Sequence, residues 1–221
     1  MNVSVAIMQP YWIPYAGYFR LLSAADKFVI LDDVQFARRG FVHRNRLKNT
    51  NGAAEWITLP LKKQARSVLI SQLEFHPDWK SLLFKQQAKF PILKKGFGLI
   101  DREMEIATDS VCEMIIATLK KYQTILNIEA TWFLSSQISN PKLSGEEKIL
   151  DLVKKLGGTS YVNASGGAHL YSKDLFLRNN IELKFLCPWQ GSHLSILEFL
   201  AGEESFSEVR KDIFKQTRFT N

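Results

Sequence analysis

Apolar and polar positions along this chain fall into blocks that switch between strand and helix periods. "VSVAIM" (3–8) is an apolar run with β-branched residues, closed by Gln9-Pro10, and predicts a buried strand. "AGYFRLLSAAD" (16–26) has Phe19, Leu21, Leu22 and Ala25 at helical spacing, with Pro14 placed for a first turn. "KFVILDD" (27–33) predicts a second buried strand that ends in carboxylates. Strand, helix and strand within one short span predict a parallel βαβ unit with a right-handed crossover. Farther on, 55–63 reads as an edge strand and 67–75 as another. A helical segment covers about 79–128, with a helix at 79–87, a break near Pro91 and 96–98, and an amphipathic helix striped by Val111, Ile115, Ile116 and Leu119. The remainder alternates: strand 130–138, helix 144–158, strand 159–165, helix 172–180, strand 181–186 and helix 194–201. Ser144 is the N-cap candidate of helix 144–158, Glu147 completes a capping box, and Gly157 ends it.

This alternation predicts one α/β domain over residues 1–221, with a mostly parallel sheet and a helical middle segment. In such sheets ligands gather outside the carboxyl ends of the strands. Two of those ends are chemically loaded here: Gln9-Pro10-Tyr11 and Asp32-Asp33-Val34-Gln35. Composition changes the picture little, since 46% hydrophobic and 23% charged residues are ordinary for a globular chain. No apolar run has the roughly 20 residues of a membrane helix, and the N-terminal apolar run is not a signal peptide. Cys112 and Cys187 have no metal-ligand spacing, which predicts free thiols in a cytoplasmic protein without structural zinc. The net charge of +7 favours an anionic partner.

The candidate chemistry is concentrated near the N-terminus. Gln9, Tyr11, Tyr15 and Tyr18 supply an amide and phenols that can orient a sugar or stack on a base; Gly17 permits close backbone approach. Asp32 and Asp33 point to opposite sides if the strand continues through them, so the two do not form a dyad. Either is a candidate general base, a ligand to magnesium with a diphosphate, or half of a structural ion pair. Arg38, Arg39, Arg44 and Arg46 are candidate phosphate ligands. If their segment is extended, Arg44 and Arg46 share a face while Asn45, a candidate for a sugar hydroxyl, points away. Late in the chain, Ser165 and Gly166 lie in a glycine-containing turn that can cradle an anion, and His169 is a candidate proton shuttle. Nucleic acid is a rival partner for the arginines, but no helix-turn-helix, zinc or RNA-binding motif supports it. His76, His193 and Cys187 read as isolated groups without catalytic partners.

Several blocks together resemble the WbqC-like family. "MQPYWIPYAGYF" (8–19), "FVILDDVQF" (28–36), "RRGFVHRNRL" (38–47) and "WITLPLKK" (56–63) match its opening, and "LGGTSYVNASGGAHLY" (156–171), "NNIELKF" (179–185) and "LSILEFLAGE" (194–203) its close. The stretch between "LKFLCPW" and "SIL" is compact, so contacts from a longer loop there are not expected. The resemblance implies a setting in surface polysaccharide or O-antigen biosynthesis, and modification of a nucleotide-linked amino sugar by acyl or aminoacyl transfer, glycyl included. A non-catalytic module that binds a nucleotide-sugar or a pathway enzyme is the alternative. Magnesium or a nucleotide is the candidate cofactor. The strand, Pro-x-x-Gly-aromatic and helix opening is also similar to nucleotidyltransferase-like domains, although Tyr15 and Tyr18 stand where those carry histidines.

Overall fold

The computed structural model describes residues 2–95, 108–200 and 206–220. In chain order its strands are β1 (Ser4–Met8), β2 (Lys27–Ile30), β3 (Arg44–Lys48), β4 (Ala54–Thr58), β5 (Thr131–Leu134), β6 (Ser160–Ala164) and β7 (Glu182–Leu186). Five of them form a parallel sheet in the order β5-β2-β1-β6-β7. The chain winds outward from β1 in one direction and then in the other, so the topological switch lies between β1 and β6. The expected parallel βαβ pair is there, with Ala6 beside Phe28 and Ile7 beside Val29.

Strand alternation divides the core between the two faces of this sheet. Ala6, Phe28, Ile30 and Val162 face α1 (Phe19–Ser23), α4 (Val111–Ile125) and α9 (Phe206–Gln216), where Phe19, Leu22, Ile115, Leu119 and Ile213 are fully buried. Val5, Ile7, Val29 and Tyr161 face α6 (Gly145–Lys155) and α7 (Lys173–Arg178), through Ile149, Leu152, Val153 and Phe176. Each Val, Leu, Ile or Phe side chain among them contributes about 1.5–3 kcal/mol of burial. The central strands β1, β2 and β6 are covered on both faces, which is why β1 and β2 read as apolar runs rather than alternating ones, while β5 and β7 at the sheet's edges are partly exposed.

Several elements differ from expectation. The 55–63 strand is β4 alone; it pairs antiparallel with β3 in a hairpin outside the main sheet. Asn45, Leu47 and Ile57 are fully buried on one face of that hairpin, while Arg44, Arg46 and Trp56 share the other. Gln86, in α2 (Trp79–Gln87), lies along β4: Thr58 N donates to its Oε1 (3.1 Å) and its Nε2 donates to Thr58 O (2.8 Å). The predicted strand 67–75 is instead a 3-10 turn at Ile70–Gln72, flanked by isolated bridges from Leu69 to Gln35 and from Phe75 to Leu61. Predicted strand 130–138 stops at Leu134 and turns into the short helix α5 (Ser135–Ile138).

Within the middle segment, α3 (Pro91–Lys95) begins at the proline that marked a break, and the break at 96–98 lies outside the described residues. Ser110 caps α4 by accepting from Glu113 N (3.3 Å). Ser144 occupies the N-cap position of α6 but its hydroxyl reaches no helix N–H, so the capping box does not form; Gly145 starts the helix at φ 55°. Gly157 does end it: at φ 65° it lets Gly158 N donate to Val153 O (2.8 Å) and Gly157 N to Lys154 O (2.9 Å). The closing helix starts later than predicted, α8 (Leu197–Leu200), and 201–203 lie outside the described residues. Helix α9 was not anticipated, although Phe206, Val209 and Ile213 are spaced for one apolar stripe.

Candidate functional site

The carboxyl ends of β1, β2, β5, β6 and β7 open on one edge, and the residues there form three groups. The first surrounds the carboxylates. β2 ends at Ile30, so the alternation that would separate Asp32 from Asp33 no longer applies, and both turn toward Ser135 at the start of α5. Asp32, which is buried, accepts from Ser135 Oγ (2.9 Å), Ser136 N (2.9 Å) and Ser136 Oγ (2.6 Å). Asp33 accepts from Ser139 Oγ and Lys148 Nζ (2.7 Å), and it shares the single hydroxyl hydrogen of Ser135 with Asp32. Burial disfavours the Asp33 anion, but bonds from Lys148, Ser135 and Ser139 outweigh it and hold its carboxyl below the usual value. The serine–carboxylate group is closed on itself. It does not suit magnesium, because an ammonium and hydroxyl donors already take the oxygens a hard cation would need. Among the described residues, no group of three or more potential metal ligands is placed to hold an ion.

Sequence reasoning missed Ser135, Ser136, Ser139 and Lys148. A signal existed for Lys148, which precedes Ile149 and stands one turn before Leu152 on the buried side of α6. Ser135 and Ser136 were hidden by reading 130–138 as strand.

The second group is aromatic and cationic. Tyr11 follows β1 and packs between Tyr18 (centroids 5.4 Å) and Phe41 (5.4 Å), and Phe41 packs on Trp56 (5.6 Å). Arg44 Cζ stands 4.1 Å over the Trp56 ring and Arg46 Cζ 5.7 Å from it. Register explains this, since Trp56 lies opposite Arg46 and two residues from Thr58, the partner of Arg44. The rings thus run from a strand end to the half-buried Arg44 and Arg46, with Trp56 37% exposed. Phe41 and Trp56 were not among the sequence candidates. Tyr11 is half-buried, and its phenol pKa is raised by burial and then by Tyr15, which keeps it a proton donor. Gln9 is half-buried beside it, and its side-chain amide has no hydrogen-bond partner among the described residues.

Four other sequence candidates are placed differently from expectation. Tyr18 is buried among Phe19 and Phe28 and donates to Gln9 O (3.0 Å). Asn45 points away from the arginines, as parity required, but into the core: its Nδ2 donates to Ile13 O (2.9 Å) and its Oδ1 accepts from Arg46 N (2.9 Å). A fully buried amide with these partners has no surface for a sugar hydroxyl. Gln35 spends its amide on Arg66 O (2.8 Å), latching the 66–69 loop. Arg39 is exposed, and its carbonyl accepts from Arg44 Nη2 (2.6 Å).

The third group flanks the switch. β6 runs into a 3-10 turn, Ser165–Leu170, which carries Ser165, Gly166 and the exposed His169. A Cβ on Gly166 would meet nothing within 4 Å, so packing does not demand glycine there. His169 is not near the carboxylates: β1 stands between β2 and β6, which separates them by roughly 10 Å. Tyr15 stacks against His193 (5.1 Å) beside the buried Arg20, whose Nη2 donates to Cys187 O (2.9 Å). The close approach at Gly17 is made by the Tyr15 and Trp189 rings, whose nearest atoms would lie within 2.9 Å of a Cβ there.

Comparison with known proteins places this geometry in a family. A profile described as the WbqC-like protein family matches residues 9–193. The chain belongs to that family. The matched span runs from Gln9 through Asp32, Asp33, the hairpin arginines and the glycine turn to His193. The uncharacterized protein Rv1507c of Mycobacterium tuberculosis is similar to this WbqC-like chain, at 36% identity over 91 residues. That alignment spans 38% of this chain and 39% of the relative. No solved structure matches. No helix among the described residues is long and apolar enough to cross a membrane, and Cys112 and Cys187 are free thiols.

Proposed function

We propose that this WbqC-like protein binds a nucleotide-linked amino sugar at the carboxyl edge of its sheet and transfers an acyl or aminoacyl group, such as glycyl, to the sugar amine. The observation that carries the reading is the chain of contacts from Tyr11 through Phe41 and Trp56 to Arg44 and Arg46, with Gln9 two residues before Tyr11 at the same strand end. Guanidinium groups match the oxygens of a diphosphate, and flat rings match a base or sugar. In the transfer, the amine nitrogen bonds the acyl carbon, the bond from acyl group to donor breaks, and the amine gives up a proton. His169 suits the proton better than Asp33, since Asp33 has its oxygens committed and its pKa lowered. Nucleotide-linked sugars are cytoplasmic, so this reading places the protein in the cytoplasm and in surface polysaccharide or O-antigen synthesis.

The closed carboxylate network favours a second reading, a non-catalytic module that binds the same ligand. A thermal-shift series with nucleotide-diphosphate amino sugars, free nucleotides and short RNA separates the cases. A sugar nucleotide at a hundred times its Kd should add about 2.7 kcal/mol of stability, and Trp56→Ala or Arg46→Gln should abolish the shift. Mass spectrometry of the sugar nucleotide with activated glycyl and acetyl donors then distinguishes transferase from module. A shift with RNA alone sinks both.

A further inference from the structure

A different cluster of charge lies away from the strand ends. The chain leaving β4 passes through Leu59, Pro60 and Leu61 and returns at His76, whose N–H donates to Pro60 O (3.0 Å). Together with the 36–43 segment it encloses a cavity of about 410 Å³, within the range of small-molecule sites. Phe36, Leu59 and Leu73, all buried, give the cavity an apolar floor. Arg38, Lys62 and Lys63 line it as cations, with His43 and His76 as imidazoles.

The walls are built rather than loose. Arg38 Nη2 crosses to Gln64 O (2.5 Å) and Ala65 O (3.3 Å). Gln64 in turn donates to Gln72 O (2.9 Å) and accepts from Glu74 N (3.3 Å), so its side chain takes the place of a strand inside the loop. The Nε and Nη1 hydrogens of Arg38 have no partner among the described residues. Two carboxylates are nearby. Glu74 pairs with Lys62 at 2.6 Å, but both side chains are 56% exposed, so water screens that pair. Asp78 is exposed and meets the site through its N–H, which donates to His76 Nδ1 (3.1 Å). That bond leaves the hydrogen of neutral His76 on Nε2. The buried Nδ1 of His43 has no partner at all among the described residues, a state that costs about 1–3 kcal/mol unless something fills it. Burial, with Arg44 and Arg38, drives the His43 pKa down to about 4.

We propose that this cavity is a second anion site, which takes the phosphate of a small phosphorylated molecule and rests that molecule's flat or apolar body on Phe36, Leu59 and Leu73. Arg38 offers a planar fork, the lysines offer mobile charge, and the imidazoles complete a ring of donors around a tetrahedral anion. The site is independent of the amino-sugar reading, although Thr58 joins the two surfaces by lining the cavity opposite Arg44.

Imidazole NMR of the full chain, with histidine labelled with nitrogen-15, tests this directly. The protein is titrated with inorganic phosphate and separately with AMP, at constant ionic strength held by chloride. The His43 and His76 signals should shift saturably while those of His169 and His193 stay put. AMP should bind more tightly than phosphate, because only AMP covers the apolar floor. Arg38→Gln and, separately, Lys63→Gln should each weaken binding about tenfold, and Arg46→Gln should leave it unchanged. Both lost cations are exposed, so the fold survives their removal. Absence of a saturable shift at His43 and His76, or full affinity in both cavity variants, overturns the site. Equal affinity for AMP and phosphate overturns the organic body. Loss of the shift with Arg46→Gln would mean that one surface, not two, holds the anion.

Discussion

Asn45 holds together two loops that neither strand could fix alone. Ile13 sits at φ 41°, a left-handed conformation that a β-branched residue adopts at a cost of about 1–3 kcal/mol. The Asn45 amide binds its carbonyl, and Trp12 N–H donates to Val42 O (3.1 Å), so the strained turn after Tyr11 is held from two sides. Asn45→Ala leaves the Ile13 carbonyl and the Arg46 N–H buried without partners. It should lower stability by about 2–4 kcal/mol, read as a shift of the urea midpoint. An unchanged midpoint would show that the turn is held by packing alone. At this scale the sequence was half legible. Parity separated Asn45 from Arg44 and Arg46 correctly, but polarity then suggested a ligand contact. The companion on its own side, Leu47, pointed inward and carried the better information.

Among the elements, the strands of the sheet were the most legible, because burial on both faces leaves uninterrupted apolar runs. The stretch from 55 to 75 was misread for the opposite reason. There, side-chain amides from Gln35, Gln64 and Gln86 supply hydrogen bonds that strand pairing would otherwise provide, and such bonds leave no periodic trace. The turn between α6 and β6 was legible in part: its first glycine was anticipated from helix termination, whereas Gly158 answers to packing. A Cβ there would stand 2.6 Å from Val5 Cγ2 and 2.7 Å from Val153 Cγ1. Gly158→Ala must push α6 away from the centre of the sheet, and thermal unfolding should show a loss of about 1–3 kcal/mol. Gly166→Ala, with open space around it, serves as the matched control and should melt with the parent. Equal melting of all three chains would refute the packing argument.

Over the whole molecule, the candidate site gathers residues from distant parts of the chain, and so only its N-terminal half was visible as a cluster. The order β5-β2-β1-β6-β7 brings Ser135 beside Asp32 and the glycine turn beside Gln9, which no local pattern could announce. The ion pair of Lys148 with Asp33 then ties α6 to the end of β2. The folded pKa of Asp33 lies below its ordinary 3.8, so its contribution is present above that value and fades as pH falls toward the folded pKa. Lys148→Met strands a carboxylate that is mostly buried and should cost about 3 kcal/mol at neutral pH. The gap between variant and parent should narrow as pH drops below 4, in denaturation curves taken at a series of pH values. A gap independent of pH would assign Lys148 a packing role only.

The Gln86 amide has a further consequence, one that concerns many molecules rather than one. A two-stranded hairpin outside the main sheet leaves β4 with an outer edge, and such an edge invites a second chain to pair with it. By taking both the N–H and the carbonyl of Thr58, Gln86 acts as a strand one residue long that ends the ladder. The cations on the outer face of β3 add repulsion between copies. The hairpin can therefore stay exposed at high concentration without seeding association through its edge.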